Sequence, residues 1–287
     1  MSPKERQVEV NEMPTRVVDS ARRGLLPILA VHGFPGADLM TLHGTPGFEN
    51  LGVRTRVIFY DQRGAGQSGG WGEGVAPGLE QHAADLLGLI GTLNLDRPIL
   101  IGHHHGGDIA LELALKQPAA ISGLVLVCSP AGASGHDRTA FEAKLADMLE
   151  GVDLPALLEA GESDPDIALR GAMEEIFPLG FLRFGLNERT FAKRVTFRRS
   201  AYDDCWAAVS GGDRGARLPE LRVPTLVVAG RYDPFIDLSK ARETAAAIPG
   251  ARFMLMHSAA HWPFLEEPDR FADEIWTWIE EVAAHIV

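Results

Sequence analysis

The chain has 287 residues, 46% hydrophobic and 23% charged, with 39 acidic against 27 basic side chains and a formal charge of −12. That length buries a large core near the upper limit for one domain, and the acid excess disfavours a polyanionic partner such as nucleic acid. The opening residues are polar with no signal-peptide core, and no run approaches the roughly 18–20 apolar residues of a membrane span.

Gln7 to Val10 and Thr15 to Asp19 read as two strands of an opening hairpin turning through Asn11 to Pro14. Leu25 to Val31 is a continuous apolar run, as expected of a strand buried on both faces, and it delivers His32-Gly33-Phe34-Pro35-Gly36 into a loop. Val57 to Tyr60 is a second such strand and leads into Asp61-Gln62-Arg63-Gly64-Ala65-Gly66-Gln67-Ser68. Leu79 to Leu93 has helical periodicity. Pro98 to Ile101 then enters Gly102-His103-His104-His105-Gly106-Gly107, and a helical run, Asp108 to Gln117, leaves it. Glycines at both ends of the histidine triplet let a strand turn sharply into a helix.

Ile121 to Cys128 is the next apolar strand, with Cys128 expected as a buried, inert thiol; Cys128 and Cys205 form neither a disulfide framework nor a zinc spacing. From about Ala131 to Arg217 no buried strand is predicted, only helical stretches such as Thr139 to Leu149 and Pro165 to Ile176. Pro224 to Gly230 resumes the strands, Leu238 to Ala247 is helical, Phe253 to Met256 is the last strand, and an amphipathic helix closes the chain from Pro268 to about Ala284. Alternating buried strands and helices predict an α/β protein with a mostly parallel central sheet flanked by helices. Residues 1–130 and 218–287 form its core, and residues 131–217 are a helical cap inserted after the sixth strand.

Taken together, the motifs resemble those of the capped α/β-hydrolases, in particular the proline iminopeptidase-like and epoxide-hydrolase-like branches. His32 to Gly36 resembles the HGxPG loop, Asp61 to Ser68 the DxRGxGxS loop, and Gly102 to Gly106 the G-x-S-x-G nucleophile elbow. Gly230-Arg231-Tyr232-Asp233 and Ser258-Ala259-Ala260-His261-Trp262-Pro263 resemble the acid and histidine loops. The resemblance implies a catalytic set of His104, Asp233 and His261, with the backbone N–H groups of Phe34 and His105 as an oxyanion hole. Asp237 is the better cap for the helix beginning at Leu238, which leaves Asp233 as the acid. His103 is expected to tuck inward in a structural role, and Gly36, Asp61, Arg63 and Gly64 to tie loops together.

The elbow departs from the family in carrying His104 where a Ser, Cys or Asp nucleophile belongs. Imidazole, with a reference pKa of about 6.5, is already nucleophilic at neutral pH, but it reaches some ~3 Å further than a hydroxymethyl group. An oxyanion hole set for serine then misses the carbonyl that His104 attacks. Four readings stand open: an acid–base pair of His104 and His261 oriented by Asp233; direct attack by His104; a metal held by the three residues; and a scaffold that binds without turnover. The expected chemistry is hydrolysis of a small, largely apolar ester, amide or lactone, with non-hydrolytic acid–base chemistry as the alternative. Phe34, His105, Tyr202, Trp206 and Trp262 are the candidate pocket residues. Glu174 and Glu175 are read as a solvated face rather than an ammonium site. A cytoplasmic enzyme is expected, with a small-molecule substrate, no cofactor, no resident metal and no nucleic-acid or membrane partner.

Overall fold

The structure, a computed structural model, describes residues 4–22, 24, 26–72, 78–129, 138–150, 152–159, 164–209 and 214–285. In chain order the first half comprises β1 (Lys4–Val10), β2 (Met13–Asp19), β3 (Ile28–Val31), α1 (Pro46–Arg54), β4 (Val57–Tyr60), α2 (Leu79–Thr92), β5 (Ile99–His103), α3 (His105–Lys116) and β6 (Gly123–Val127). Five helices follow: α4 (Arg138–Met148), α5 (Leu154–Glu159), α6 (Pro165–Ile176), α7 (Leu186–Ala192) and α8 (Arg199–Val209). The sheet then resumes with β7 (Thr225–Gly230), α9 (Leu238–Ala247), β8 (Arg252–Met256), α10 (Pro263–Glu266) and α11 (Pro268–Ala284).

The strands form one sheet in the order β1-β2-β4-β3-β5-β6-β7-β8, antiparallel at the β1–β2 and β2–β4 pairs and parallel from β4 onward. Successive side chains leave a strand on opposite faces. In β3, Ile28 and Ala30 therefore enter one core with α1 and α11, whereas Leu29 and Val31 enter another with α2, α3 and α9. This two-sided burial is what the unbroken apolar runs require.

Local chemistry trims several predicted boundaries. The hairpin turn is only Asn11 and Glu12, both left-handed (φ 49° and 60°), so β2 starts at Met13. Pro27 has no amide to donate; the ladder of β3 starts one residue later, where Ile28 N–H donates to Arg56 O at 2.8 Å. Helix α1 was not legible because Gly47 and Gly52 dilute its pattern; it stands on Phe48 and Leu51, packed against the Phe264 and Phe271 rings. The helices expected over 139–149 and 165–176 are present as α4 and α6, while residues 131–137 of the predicted cap lie outside the described residues. Among the described residues, no helix is long and apolar enough to cross a membrane.

Every loop that the sequence marked for chemistry follows a parallel strand at its C-terminal end, which brings all of them to one edge of the sheet. The helices between β6 and β7 reach this edge: Phe177 packs on Phe34 at 5.3 Å between centroids, Phe141 on Phe235 at 6.1 Å, and Arg198 N–H donates to Gly36 O at 2.9 Å.

Candidate active site

Between β5 and α3 the chain turns on a single residue, His104, at φ 50° and ψ −125°. That conformation costs a non-glycine residue about 1–3 kcal/mol and needs its surroundings to hold it. They do so through three hydrogen bonds: His104 N–H donates to Val127 O at 3.1 Å, and His104 O accepts from Gly107 N–H at 2.9 Å and Ser129 Oγ at 2.8 Å. The neighbouring loop presses directly on the turn. A Cβ on Gly33 would lie 1.9 Å from Gly106 N, and one on Gly106 would lie 2.1 Å from Val31 O, so only glycine fits at either position.

This contact sets the Phe34 amide beside the elbow. The His105 amide is the first in α3 and belongs to the turn of amides that a helix leaves without an internal acceptor. The Phe34 N–H has no acceptor among the described residues. Amide donors left without an internal acceptor are able to bond a negative oxygen.

Asp233 and His261 arrive on the loops after β7 and β8, which touch back to back where Gly230 would place a Cβ 1.8 Å from Ala260 O. One carboxylate oxygen of Asp233, Oδ1, accepts the Phe235 and Ile236 amides at 2.9 and 3.1 Å; the other, Oδ2, accepts His261 Nδ1–H at 2.9 Å. The pair is buried, with side-chain exposures of 0% for His261 and 2% for Asp233. Because Nδ1 carries the proton, His261 Nε2 presents a lone pair, and it has no partner among the described residues. The His104 and His261 rings meet edge to face, 5.0 Å between centroids at 80°. Phe34, Phe235 and Trp262 surround His261 at 6.1, 4.9 and 5.3 Å, so the imidazoles sit buried in an aromatic shell.

A model of the alpha/beta hydrolase fold family matches residues 27–268. The chain belongs to the α/β-hydrolase fold family. Among its curated relatives is an Agrobacterium fabrum protein named "Putative carbamate hydrolase RutD", 30% identical over 253 residues that cover 85% of this chain and 89% of that one. A proline iminopeptidase of Levilactobacillus brevis is 29% identical over 289 residues, 94% of this chain and 92% of its own. Among solved structures, the enol-lactonase of Burkholderia xenovorans LB400 superposes with a TM-score of 0.75 at 23% identity, covering 96% of this chain and all of that one, a likeness of fold.

In this α/β-hydrolase the three neighbouring histidines diverge, as a tight turn dictates. His103 is fully buried and donates Nε2–H to the backbone oxygen of His261 at 3.0 Å, which ties the elbow to the histidine loop. Burial and the nearby His261 ring hold His103 well below the usual histidine range, so it stays neutral. The His105 ring turns away toward His82 at 6.2 Å, beside a cavity of about 20 Å³ that His32, Gln62 and Cys205 also line; only its amide belongs to the elbow site. Of the other pocket candidates, Phe34 touches both imidazoles, at 5.9 and 6.1 Å. Trp262 is fully buried among Phe34, Phe177, Phe181 and His103. Tyr202 places its hydroxyl 3.3 Å from Glu142, and Trp206 packs on Phe141 at 5.2 Å, which packs in turn on Phe235 at 6.1 Å. Glu174 and Glu175 are exposed.

Asp237 takes the N-cap position of α9 as expected, but its carboxylate makes no cap bond and pairs instead with Lys144 at 3.1 Å. The loop-tying residues act as read. Asp61 accepts the Leu39 and Gln67 amides at 2.8 Å each, and Arg63 forks onto Asp85 at 2.7 and 2.8 Å. Cys128 is buried as expected, but no spacing reveals that it lies beside the Asp233–His261 pair. Its Sγ, an Asp233 oxygen and a His261 nitrogen lie within 4.8 Å of one another, a group of donors that a metal ion can use. In the structure those donors are spent on each other. The Asp233–His261 bond occupies both partners, and burial followed by the charge of Asp233 pushes the Cys128 thiol up, so it remains a protonated donor.

Proposed function

We propose that the chain is a hydrolase of small, largely apolar esters, amides, lactones or carbamates, working through His261 as general base with Asp233 behind it and His104 opposite. The observation that carries this reading is the pair of imidazoles 5.0 Å apart, with Asp233 bonded to the far nitrogen of His261. That arrangement leaves His261 Nε2 as the base and gives the imidazolium a counter-charge once it forms. The names of the relatives, carbamate hydrolase and proline iminopeptidase, support acyl hydrolysis as the reaction class.

In the proposed reaction a water enters with the substrate and lies against His261 Nε2, beside the His104 ring. His261 Nε2 takes its proton while the hydroxide oxygen adds to the substrate carbonyl. The Phe34 and His105 amides receive the resulting oxyanion, and the His261 imidazolium returns its proton to the leaving oxygen or nitrogen as the tetrahedral species collapses. His104 holds the water by a hydrogen bond and fills the space a shorter nucleophile would leave open. Its length argues against attack by its own nitrogen, because a carbonyl placed against that ring sits about 3 Å too far out for amides set at the elbow. The helices between β6 and β7, within residues 131–217, act as a cap over the imidazoles and select the substrate.

The test is a panel of neutral esters assayed with the wild-type protein and with His104→Ala and His104→Ser. The reading expects the alanine variant to fold and to lose about a hundredfold or more of kcat/KM, the scale of one positioned proton-handling group. Unchanged rates in His104→Ala remove His104 from the mechanism. A gain of broad esterase activity in His104→Ser shows that the amides and the Asp233–His261 pair are competent for acyl transfer.

A further inference from the structure

A cavity of about 280 Å³ opens between α6 and α7, close to the lower size of small-ligand pockets. Its walls are apolar, from Met173, Phe177, Phe184 and Phe197, and its rim carries Arg170, Arg189 and Lys193. None of these three cations forms an ion pair with a described residue. Other cations of the protein are held in ion pairs, as in Arg63–Asp85, Arg56–Asp19 and Lys116–Glu80. Among the described residues this rim holds one acid, the exposed Glu174, which leaves a local positive excess on a chain of net charge −12. The Arg189 guanidinium lies 5.0 Å from the centre of the Phe184 ring, which fixes one charge against the apolar wall.

Phe177 joins this cavity to the elbow. The same ring that lines it packs on Phe34 at 5.3 Å and on Trp262 at 4.8 Å, and Phe34 in turn touches His104 at 5.9 Å. An amphipathic anion suits both halves of the arrangement: its charge meets unpaired guanidinium and ammonium groups, and its body covers aromatic surface. A neutral molecule leaves the cations unused, and a cation meets repulsion.

We propose that this cavity is a vestibule for a small organic carboxylate, held at its charged end by Arg170, Arg189 and Lys193 and lying along Phe177. Resting on the hydrolase reading above, this makes the substrates acyl compounds that carry a free carboxylate besides the bond to be cleaved. Phe177 then stands between the place where such a molecule is first held and the imidazoles where it is cut.

Calorimetric titration of the full chain with 3-phenylpropionate and with its neutral amide tests the binding directly, without turnover. The proposal expects the acid to bind about tenfold or more tighter than the amide, and the preference to weaken in about 0.5 M NaCl as the charges are screened. Arg189→Gln/Lys193→Gln, with its unfolding midpoint checked against wild type, is expected to lose that preference and to keep its affinity for the amide. Equal binding of acid and amide by the wild-type protein, or an undiminished preference in the double variant, overturns the vestibule. Turnover of monomethyl against dimethyl glutarate separates the two readings. The double variant is expected to raise KM for the monoester alone. If neither ester is cleaved while carboxylate binding still depends on Arg189 and Lys193, hydrolysis fails and the anion site stands. If both esters are cleaved with KM values indifferent to the double variant, the vestibule fails and hydrolysis stands.

Discussion

Replacing Asp233 by Asn tests the proton geometry of the site with almost no change of shape. The Phe235 and Ile236 amides both point at Oδ1, at 2.9 and 3.1 Å, so in the variant that end must be the carbonyl oxygen. The new NH₂ group then faces His261 Nδ1 across the former 2.9 Å hydrogen bond. Two donors cannot share that bond, and His261 answers by moving its proton to Nε2. The lone pair that takes a proton from water is lost, together with the negative charge that stabilises the imidazolium. Each effect lies on the chemical step, and the same tautomer reversal behind a catalytic histidine elsewhere costs about 10⁴ in kcat. A fall of about 10³–10⁴ in kcat/KM, equivalent to about 4–5.5 kcal/mol, is expected for ester hydrolysis measured with p-nitrophenyl acetate. Urea unfolding should move by no more than about 1 kcal/mol, because both Oδ1 hydrogen bonds survive. A loss smaller than tenfold in a folded variant refutes the assigned role of Asp233.

Gly33→Ala should be among the most damaging single substitutions, since its Cβ would lie 1.9 Å from Gly106 N and the obstacle is backbone on both sides. A loss of about 3 kcal/mol or more is expected in urea unfolding, and near-wild-type stability would contradict the close approach of the two loops. Acid should destabilise the protein in a way traceable to named histidines. Burial pushes His32 and His82 down to about 3, so both are neutral when folded and bind protons near pH 6.5 when unfolded. Their stabilising contribution is complete above pH 6.5 and is lost as pH falls through 6.5 toward 3, by about 1.4 kcal/mol per pH unit for each histidine. Asp38, pushed up to about 6 by burial, opposes one of them between pH 6 and 4. His82→Phe should therefore flatten the fall of unfolding free energy between pH 6 and 4 by about 1.4 kcal/mol per unit. An unchanged slope would show that His82 is not a buried neutral group.

The fold was legible because its signals are local. Apolar runs such as Ile28–Val31 and Val57–Tyr60 need burial on both faces, and glycines at 33, 102 and 106 mark where backbones must meet. Helix α1 escaped because its stability lies in contacts of Phe48 with Phe264 and Phe271, more than 200 residues away in sequence. At the site, the meeting of Asp233 and His261 followed from motif order. The environment of Cys128 and the hydrogen bond from His103 to the His261 backbone depend instead on strand neighbours that no spacing reveals. The roof was hidden for a similar reason. No motif or spacing singles out Phe177, Phe235 and Phe141, and only the packing of the inserted helices on Phe34 and Phe235 shows which of them border the imidazoles.

Whether His104 acts as a partner to water or as a nucleophile is decided by the protein's mass during turnover. The measurement is rapid quenching in acid during the first turnovers of an activated ester, followed by intact-mass and peptide mapping of the wild-type chain. Water activation by His261 predicts unmodified protein at every time point while product accumulates linearly from the start. An acyl group on His104 that forms in a burst and decays at the turnover rate would contradict it.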